Sequence, residues 1–484
     1  MNALLLTDGY KTGHHQQYPA GTQEVYSNWT PRSNKYAPQG CDMVLSFGQQ
    51  YVMQWLHDYF EVNFFAKPKD VVCNEMKTEL SLYLNTDYDV SHFRALHDLG
   101  HLPIRVKSLP EGVEVPIRVP MLTVVNTKQE FYWVTNFLET ILSTMLWLPM
   151  TSASIALTYK RLFKRWALKT DADNIGFIDF QGHDFSMRGM GGLQSAVASG
   201  MGHSAVFLGS DTLPVIHGLR KYYEARDFVV GSVNATEHSV MCAGTKDDEI
   251  GTFRQLMETY PTGILSVVSD TWDLWKVLTN YLPKLKEAIL EREGKLVIRP
   301  DSGDPVDIIC GTSAKIGEGT PQEKGVVELL WDVFGGTVNK EGFKVLDPHI
   351  GAIYGDSITT KRAEDICQRL HDKGFATTNV VLGIGSFTYQ FNTRDTFGFA
   401  MKATSVVVNG ERREIFKDPI TDDGVKKSAK GLIRVDKVDG NYVLVDEVTE
   451  AEEQKGELKV IYEDGKFLNR TTLEQIRKRI DERL

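Results

Sequence analysis

Cysteine is scarce in this sequence: five residues in 484 (Cys41, Cys73, Cys242, Cys310, Cys367), scattered and without a C-x-x-C pair. The odd count and wide spacing argue against a disulfide framework and a structural zinc site. They suit reduced thiols in a cytoplasmic protein. Long apolar runs are lacking too. No stretch reads as the roughly 20 apolar residues of a membrane span. The opening MNALLLTDGYKTGHH carries one four-residue apolar run and no basic lead, so a secretory signal is not expected. Positive charge is in deficit, with 54 Lys and Arg against 64 Asp and Glu, a net charge of -10. Nucleic acid and anionic membranes are therefore poor partners, and an anionic substrate would have to be met by bases gathered locally. There is no P-loop, no G-x-G-x-x-G in a dinucleotide-binding context, and no low-complexity tract.

What is present is the balance of a soluble globular chain, 42% hydrophobic and 24% charged, long enough for two domains or for a large barrel with an addition. From 171 to 395 one pattern recurs. A short apolar run ends in small or acidic residues, and a helical segment follows: IGFIDF before GHDFSMRG, SAVFLG before SDT, FVVGSV before NATEHS, GILSVV before SDTWD, KLVI before RPDSG, HIGAIY before GDS, NVVLGI before GSF. Seven such units predict a β/α barrel of parallel strands over 171–395. The flanks, 1–170 and 396–484, mix strands and helices and read as a second, α+β domain built from both chain ends. The chain closes on a helix with Leu473, Ile476 and Ile480 on one face. The Glu-rich TEAEEQKGE reads as a solvated loop.

Barrel active sites sit at the carboxyl ends of the strands. Here that rim would gather His183, Asp184, Asp211, Glu237, His238, Ser266, Asp270, Arg299, Asp301, Gly355 and Asp356. Any one Asp or Ser after a strand can simply cap a helix; a ring of seven strand ends carrying such groups points to a shared site. LVIRPDSGDP is the most specific segment. Arg299 offers a planar fork of donors suited to phosphate, and Asp301 beside it can hold Mg²⁺ or a ribose hydroxyl. The alternative is an Arg–Asp pair closing a turn. IYGDSIT and LGIGSFTYQ place glycines at two further strand ends, where exposed N–H groups can cradle phosphate or merely allow a turn. His238 in NATEHS fits a general base, a metal ligand, a phosphate acceptor or a hydrogen-bonded core histidine. Phe185 in GHDFSMRGM fits the core or a stacking face for an aromatic substrate. The run GMGGLQSAVASGMGHS reads as a close-packed helix.

These motifs, in this order, resemble the nicotinamide phosphoribosyltransferase family: TDGYKTGHHQQYP, HDFSMRG, GSDT, SVNATEHS, SVVSDTWD, IRPDSGDP, GDS, TRD and FKDP. The resemblance runs over nearly the whole chain. It implies a dimeric type II phosphoribosyltransferase with an irregular β/α barrel and two active sites at the dimer interface. The implied reaction joins nicotinamide to phosphoribosyl pyrophosphate with Mg²⁺, stimulated by ATP through a phosphohistidine. Phe185, and Tyr10 from the partner, would sandwich the nicotinamide. Asp211 would accept from the carboxamide, with Arg188 and Ser266 nearby. Arg299, Asp301, Gly355, Asp356 and Gly385 would hold ribose and phosphate, and Arg32, Arg394, Lys402 and Lys417 would receive phosphates. His238 would take the phosphoryl group, with Asp270 orienting it. The sequence departs from the family pattern at Ser186 and Met187, just before Arg188. The nearest rival is nicotinate phosphoribosyltransferase, which a carboxylate at Asp211 disfavours. A barrel hydrolase or aldolase would need an H-x-H or a Schiff-base lysine at a strand end, and neither stands out.

Overall fold

The computed structural model describes residues 1–313, 316–355, 357–416 and 429–484. Asp356 and Lys417, both expected at phosphate, lie outside the described residues. The chain folds into two units, 1–154 with 218–225 and 392–484, and 155–217 with 226–391. The sequence pattern places the boundaries at 170 and 395. The fold instead divides the 32-residue helix Glu139–Thr170 between the two units.

That helix also corrects the reading of apolar runs. By length and composition it could cross a membrane, but 72% of its most apolar stretch is buried inside the protein. A core helix meets the same test, and the hydroxyls of Thr151 and Ser154 turn back to carbonyls one turn earlier.

The barrel unit holds seven parallel strands in the spatial order Gly209–Ser210, Gly182–Asp184, Val380–Ile384, Ile350–Tyr354, Glu293–Arg299, Thr262–Val268, Asn234–Ala235. The sheet curls until its edges meet through a parallel bridge, Gly209 with Gly231. There Ser210 N donates to Gly231 O at 3.0 Å and Gly231 N to Leu208 O at 2.8 Å. The barrel is irregular because its first three strands in the chain are only two or three residues long. IGFIDF, expected as a strand, forms a 3₁₀ turn and the helical turn Ile178–Gln181 instead. The Gln181 amide takes over the pairing, donating to Thr377 O at 2.8 Å and Val380 O at 3.3 Å. The longer strands carry largely apolar runs, as strands covered on both faces do. Helices Leu193–Ser204, Pro214–Tyr223 and Thr360–Asp372 follow the strands Gly182–Asp184, Gly209–Ser210 and Ile350–Tyr354, in the strand–helix alternation of the sequence.

The flanking unit is built on a seven-stranded sheet. Within it Thr22–Thr30 pairs antiparallel with Ala400–Val408 on one side and with the central strand Leu122–Asn126 on the other. Strands from both chain ends therefore share one sheet. The helix Leu473–Asp481 buries Leu473, Ile476 and Ile480, the face its sequence marks. TEAEEQKGE is largely exposed, as expected, but it holds a helical turn and one buried carboxylate. Thr449 and Glu452 form a reciprocal cap on the turn Glu450–Glu453. Glu453 is 8% exposed because the buried Lys107 ammonium lies 2.6 Å from its carboxylate.

Candidate active site

Strand Gly182–Asp184 ends in a buried brace. Asp184 accepts from Ser186 N at 2.9 Å and Thr212 Oγ1 at 2.7 Å. It has no exposure, so it positions the rim and does not face the site. Beneath it, His203 accepts from the Tyr389 hydroxyl at 2.6 Å and donates to Gly209 O at 3.1 Å. Burial drives its pKa down to about 4, so it stays neutral.

On this brace stand His183, Phe185 and Asp211. His183 Nε2 donates to Asp211 Oδ1 at 2.9 Å, and the Ser232 hydroxyl donates to the same oxygen. Burial works against the carboxylate, yet the hydrogen bonds from His183 and Ser232, with the charges of His183 and Arg299, hold its pKa below the usual value. Oδ2 has no hydrogen-bond partner among the described residues, and the side chain is 40% exposed. Phe185 lies beside the His183 ring, centroids 4.5 Å apart. The Arg299 guanidinium carbon sits 5.5 Å from the Phe185 centroid. Ser266 is buried, and its Oγ has no partner among the described residues.

Arg299 ends its strand and grips Asp301 in a fork, Nε to Oδ1 at 3.1 Å and Nη2 to Oδ2 at 2.9 Å. The turn is held by Asp304, whose carboxylate caps the next helix at Val306 N and Asp307 N. Asp301 N donates to Asp270 Oδ2 at 2.9 Å. Asp270 Oδ1 is buried with no hydrogen-bond partner among the described residues. His238 completes the group. Its Nδ1 lies 3.0 Å from the Thr271 hydroxyl, and its Nε2 lies 3.8 Å from Asp270 and 4.0 Å from Asp301. Gly355 is required by this packing: a Cβ there would meet Asp301 Oδ1 at 2.0 Å. Gly385 is buried and caps the short helix Ser386–Tyr389.

Of the expected site residues, the barrel unit thus brings together Phe185, Asp211, Ser266, Arg299, Asp301, Asp270 and His238. Gly355 and Gly385 sit at neighbouring strand ends. Arg188 is exposed on the 3₁₀ turn Met187–Gly189. Tyr10, Arg32, Arg394 and Lys402 belong to the flanking unit. There Tyr10 is 65% exposed, Arg32 donates to Gly398 O, Arg394 faces Asp395 at 3.5 Å, and Lys402 is exposed on its strand. Ser232 and Thr271 do not stand out in the sequence. Ser232 precedes the strand Asn234–Ala235 and Thr271 follows the strand Thr262–Val268, each next to a marked motif, and that adjacency is the available signal.

The site opens into a cavity of about 600 Å³ inside the barrel, lined by His183, Phe185, Asp211, Ser266 and Arg299 at one end. A partly apolar cavity with convergent polar groups at one end suits a small aromatic ligand. The carboxylates and the arginine beside it suit ribose and phosphate.

Residues 180–471 match the model of the nicotinate phosphoribosyltransferase (NAPRTase) family, and 2–106 match the nicotinamide phosphoribosyltransferase N-terminal domain. A nicotinamide phosphoribosyltransferase of Acinetobacter baylyi is 48% identical over 496 residues, covering 100% of this chain and 98% of the relative. One from Mycoplasma pneumoniae is 35% identical over 437 residues, covering 87% and 92%. Among solved structures, nicotinate-nucleotide pyrophosphorylase of Pyrococcus furiosus superposes with a TM-score of 0.58 at 16% identity, covering 99% and 95%. Human nicotinic acid phosphoribosyltransferase does so with a TM-score of 0.56 at 14% identity, covering 98% and 93%. At these identities the two structures bear on the fold alone.

Proposed function

Because the chain belongs to the nicotinate phosphoribosyltransferase (NAPRTase) family, we propose that it transfers the phosphoribosyl group of phosphoribosyl pyrophosphate to nicotinamide, yielding nicotinamide mononucleotide and pyrophosphate for NAD salvage. One observation carries the choice of pyridine. Both donors to Asp211 bind Oδ1, which leaves an ionised Oδ2 to accept the carboxamide N–H. A nicotinate carboxylate would meet like charge there. The Ser266 hydroxyl, without a partner among the described residues, is a further group for the carboxamide.

In the reaction the pyridine nitrogen bonds to the anomeric carbon as the carbon–oxygen bond to pyrophosphate breaks. Asp301, fixed by Arg299, would hold the ribose, and Phe185 would orient the ring so that nitrogen and carbon meet in line. Arg299 would face the departing charge. Asp270 and Asp301 fit Mg²⁺, since the partnerless Asp270 Oδ1 is the kind of donor a divalent cation satisfies. Bound there, the ion would offset negative charge on pyrophosphate.

The same reading includes ATP stimulation through phosphorylation of His238, whose side chain is 46% exposed and whose ring is oriented by Thr271. It also includes a homodimer in which Tyr10 of one subunit supplies the second aromatic face to the other, and a cytoplasmic location, in keeping with five free cysteines. The deciding experiment incubates purified protein with phosphoribosyl pyrophosphate, Mg²⁺ and each pyridine, and identifies product by mass. Nicotinamide mononucleotide should form faster than nicotinate mononucleotide. No product, or the reverse preference, overturns the reading.

A further inference from the structure

Alternate residues of strand Glu293–Arg299 face the barrel cavity: Lys295, Val297 and Arg299. Arg299 lies at the rim just described. Lys295, four residues earlier on an extended strand, lies on the order of 13 Å from it. Between them the walls are apolar, with Val297, Ile264, Ile350, Ala352 and Val381 among the lining side chains. Lys295 pairs in register with Ile264 on the adjacent strand. Around that end Ile264, Phe180 and Phe228 are exposed, with the polar Asn174, Thr378 and Asn379 also in the lining, so the far end carries a partly apolar mouth. Among the described residues the Lys295 ammonium has no hydrogen bond and no ion pair. Burial pushes its pKa down, with the more distant Asp347 carboxylate opposing. A half-buried cation without an ion pair among the described residues, at the end of a largely apolar lumen, is a group whose desolvation an anion offsets well.

We propose that this far end is an anion-binding subsite, in which the Lys295 ammonium takes the carboxylate of a molecule whose apolar body fills the lumen. One ammonium balances one carboxylate. A phosphate dianion would keep an uncompensated charge among apolar walls. The subsite goes beyond the transferase reading, since it requires no phosphoribosyl chemistry and Lys295 touches none of the groups assigned to it.

The test is calorimetry on the full-length protein with octanoate and, as the uncharged control, octanamide. Octanoate should bind the wild type at least about tenfold more tightly than octanamide, as a charge-assisted contact implies. Lys295→Met should erase that ratio, Lys295→Arg should keep it, and both variants should retain the wild-type melting temperature and nicotinamide turnover. Equal affinity of acid and amide, binding of neither, or a ratio that survives Lys295→Met overturns the proposal. Should Lys295→Met not fold, the acid-to-amide ratio in the wild type and Lys295→Gln decides it. Loss of nicotinamide turnover in the wild type would overturn the transferase reading alone.

Discussion

His183 Nε2 lies 2.9 Å from Asp211 Oδ1, and the opposite edge of its ring is pressed against Gly209, where a Cβ would come within 2.7 Å of Nδ1. The carboxylate that would read the pyridine is therefore aimed by a histidine that is itself held in place by the lack of a neighbouring side chain.

Gly209→Ala should push His183 off Asp211 without removing any group from the site. The expected cost is about 1.4 kcal/mol, roughly tenfold in kcat/KM for nicotinamide. Nicotinate should lose less. Asp211→Asn should cost more, about 1.5–3 kcal/mol. Steady-state kinetics with both pyridines decides, and an unchanged ratio of the two efficiencies in both variants would sink this account.

Gly355→Ala drives a methyl group onto Asp301 Oδ1, at 2.0 Å from the position it now holds. The Arg299–Asp301 fork should open, costing about 2 kcal/mol of ribose and phosphate binding, or about thirtyfold in kcat/KM for phosphoribosyl pyrophosphate. The melting temperature should barely change, because the residue is at a rim turn. Activity surviving intact would show that the fork is only structural.

Thr271→Val removes the hydroxyl 3.0 Å from His238 Nδ1. Acid-labile phosphate on the protein and ATP stimulation should fall together, by about fivefold for the loss of one hydrogen bond of about 1 kcal/mol. Synthesis without ATP should remain, and His238→Ala should carry no such phosphate at all. Full ATP stimulation in His238→Ala would refute the phosphohistidine.

Shared sites in a homodimer predict complementation. Tyr10→Ala and Asp301→Ala homodimers should each be weak, Tyr10→Ala by about 1–3 kcal/mol for a lost stacking face. A purified heterodimer should regain up to about half of wild-type activity, because one of its two sites is then intact. Heterodimers as inactive as their parents would mean that each subunit works alone.

In the flanking unit His15 and His92 stack with centroids 3.9 Å apart, and His15 Nε2 and His92 Nδ1 are buried without partners among the described residues. Burial is the main cause that lowers both pKa values, that of His92 from 6.5 to about 3. The unfolded chain therefore binds more protons below about pH 6.5, and stability falls as pH drops from there towards about 3. His92 alone should cost about 2 kcal/mol by about pH 5. Urea midpoints across pH should flatten in His92→Phe, and a slope equal to the wild type's would remove the pair from the account.

The strand-ending motifs are legible in the sequence because each is local. A buried β-branched run followed by Arg, Asp or Gly marks a strand and its rim whatever surrounds it, and LVIRPDSGDP needs no partner to be read. Lys295 is written there as well, since K-x-V-x-R puts three side chains on one face, but nothing local distinguishes it from the ordinary start of a strand. The short strands mislead. SAVFLG and FVVGSV are as apolar as the longer runs, yet only Gly209–Ser210 and Asn234–Ala235 pair, because the curl of the barrel leaves room for little more than the bridge that closes it.

Which residues gather at the rim follows from the order of amino acids alone: Asp211, His238, Asp270, Arg299 and Asp301 all stand in motifs of a few residues, and the succession of those motifs predicts a parallel barrel. How they act follows only from the folded chain. Asp211 keeps one oxygen for a ligand because His183, 28 residues away, and Ser232, 21 residues away, both bind the other. Among the described residues, Asp270 is left with a buried oxygen that accepts no hydrogen bond, and the Lys295 ammonium inside the barrel has no ion pair. Hydrogen-bond satisfaction and desolvation are properties of neighbours brought together by the fold, and nothing in the spacing of residues along the chain dictates which oxygen is taken and which is left open.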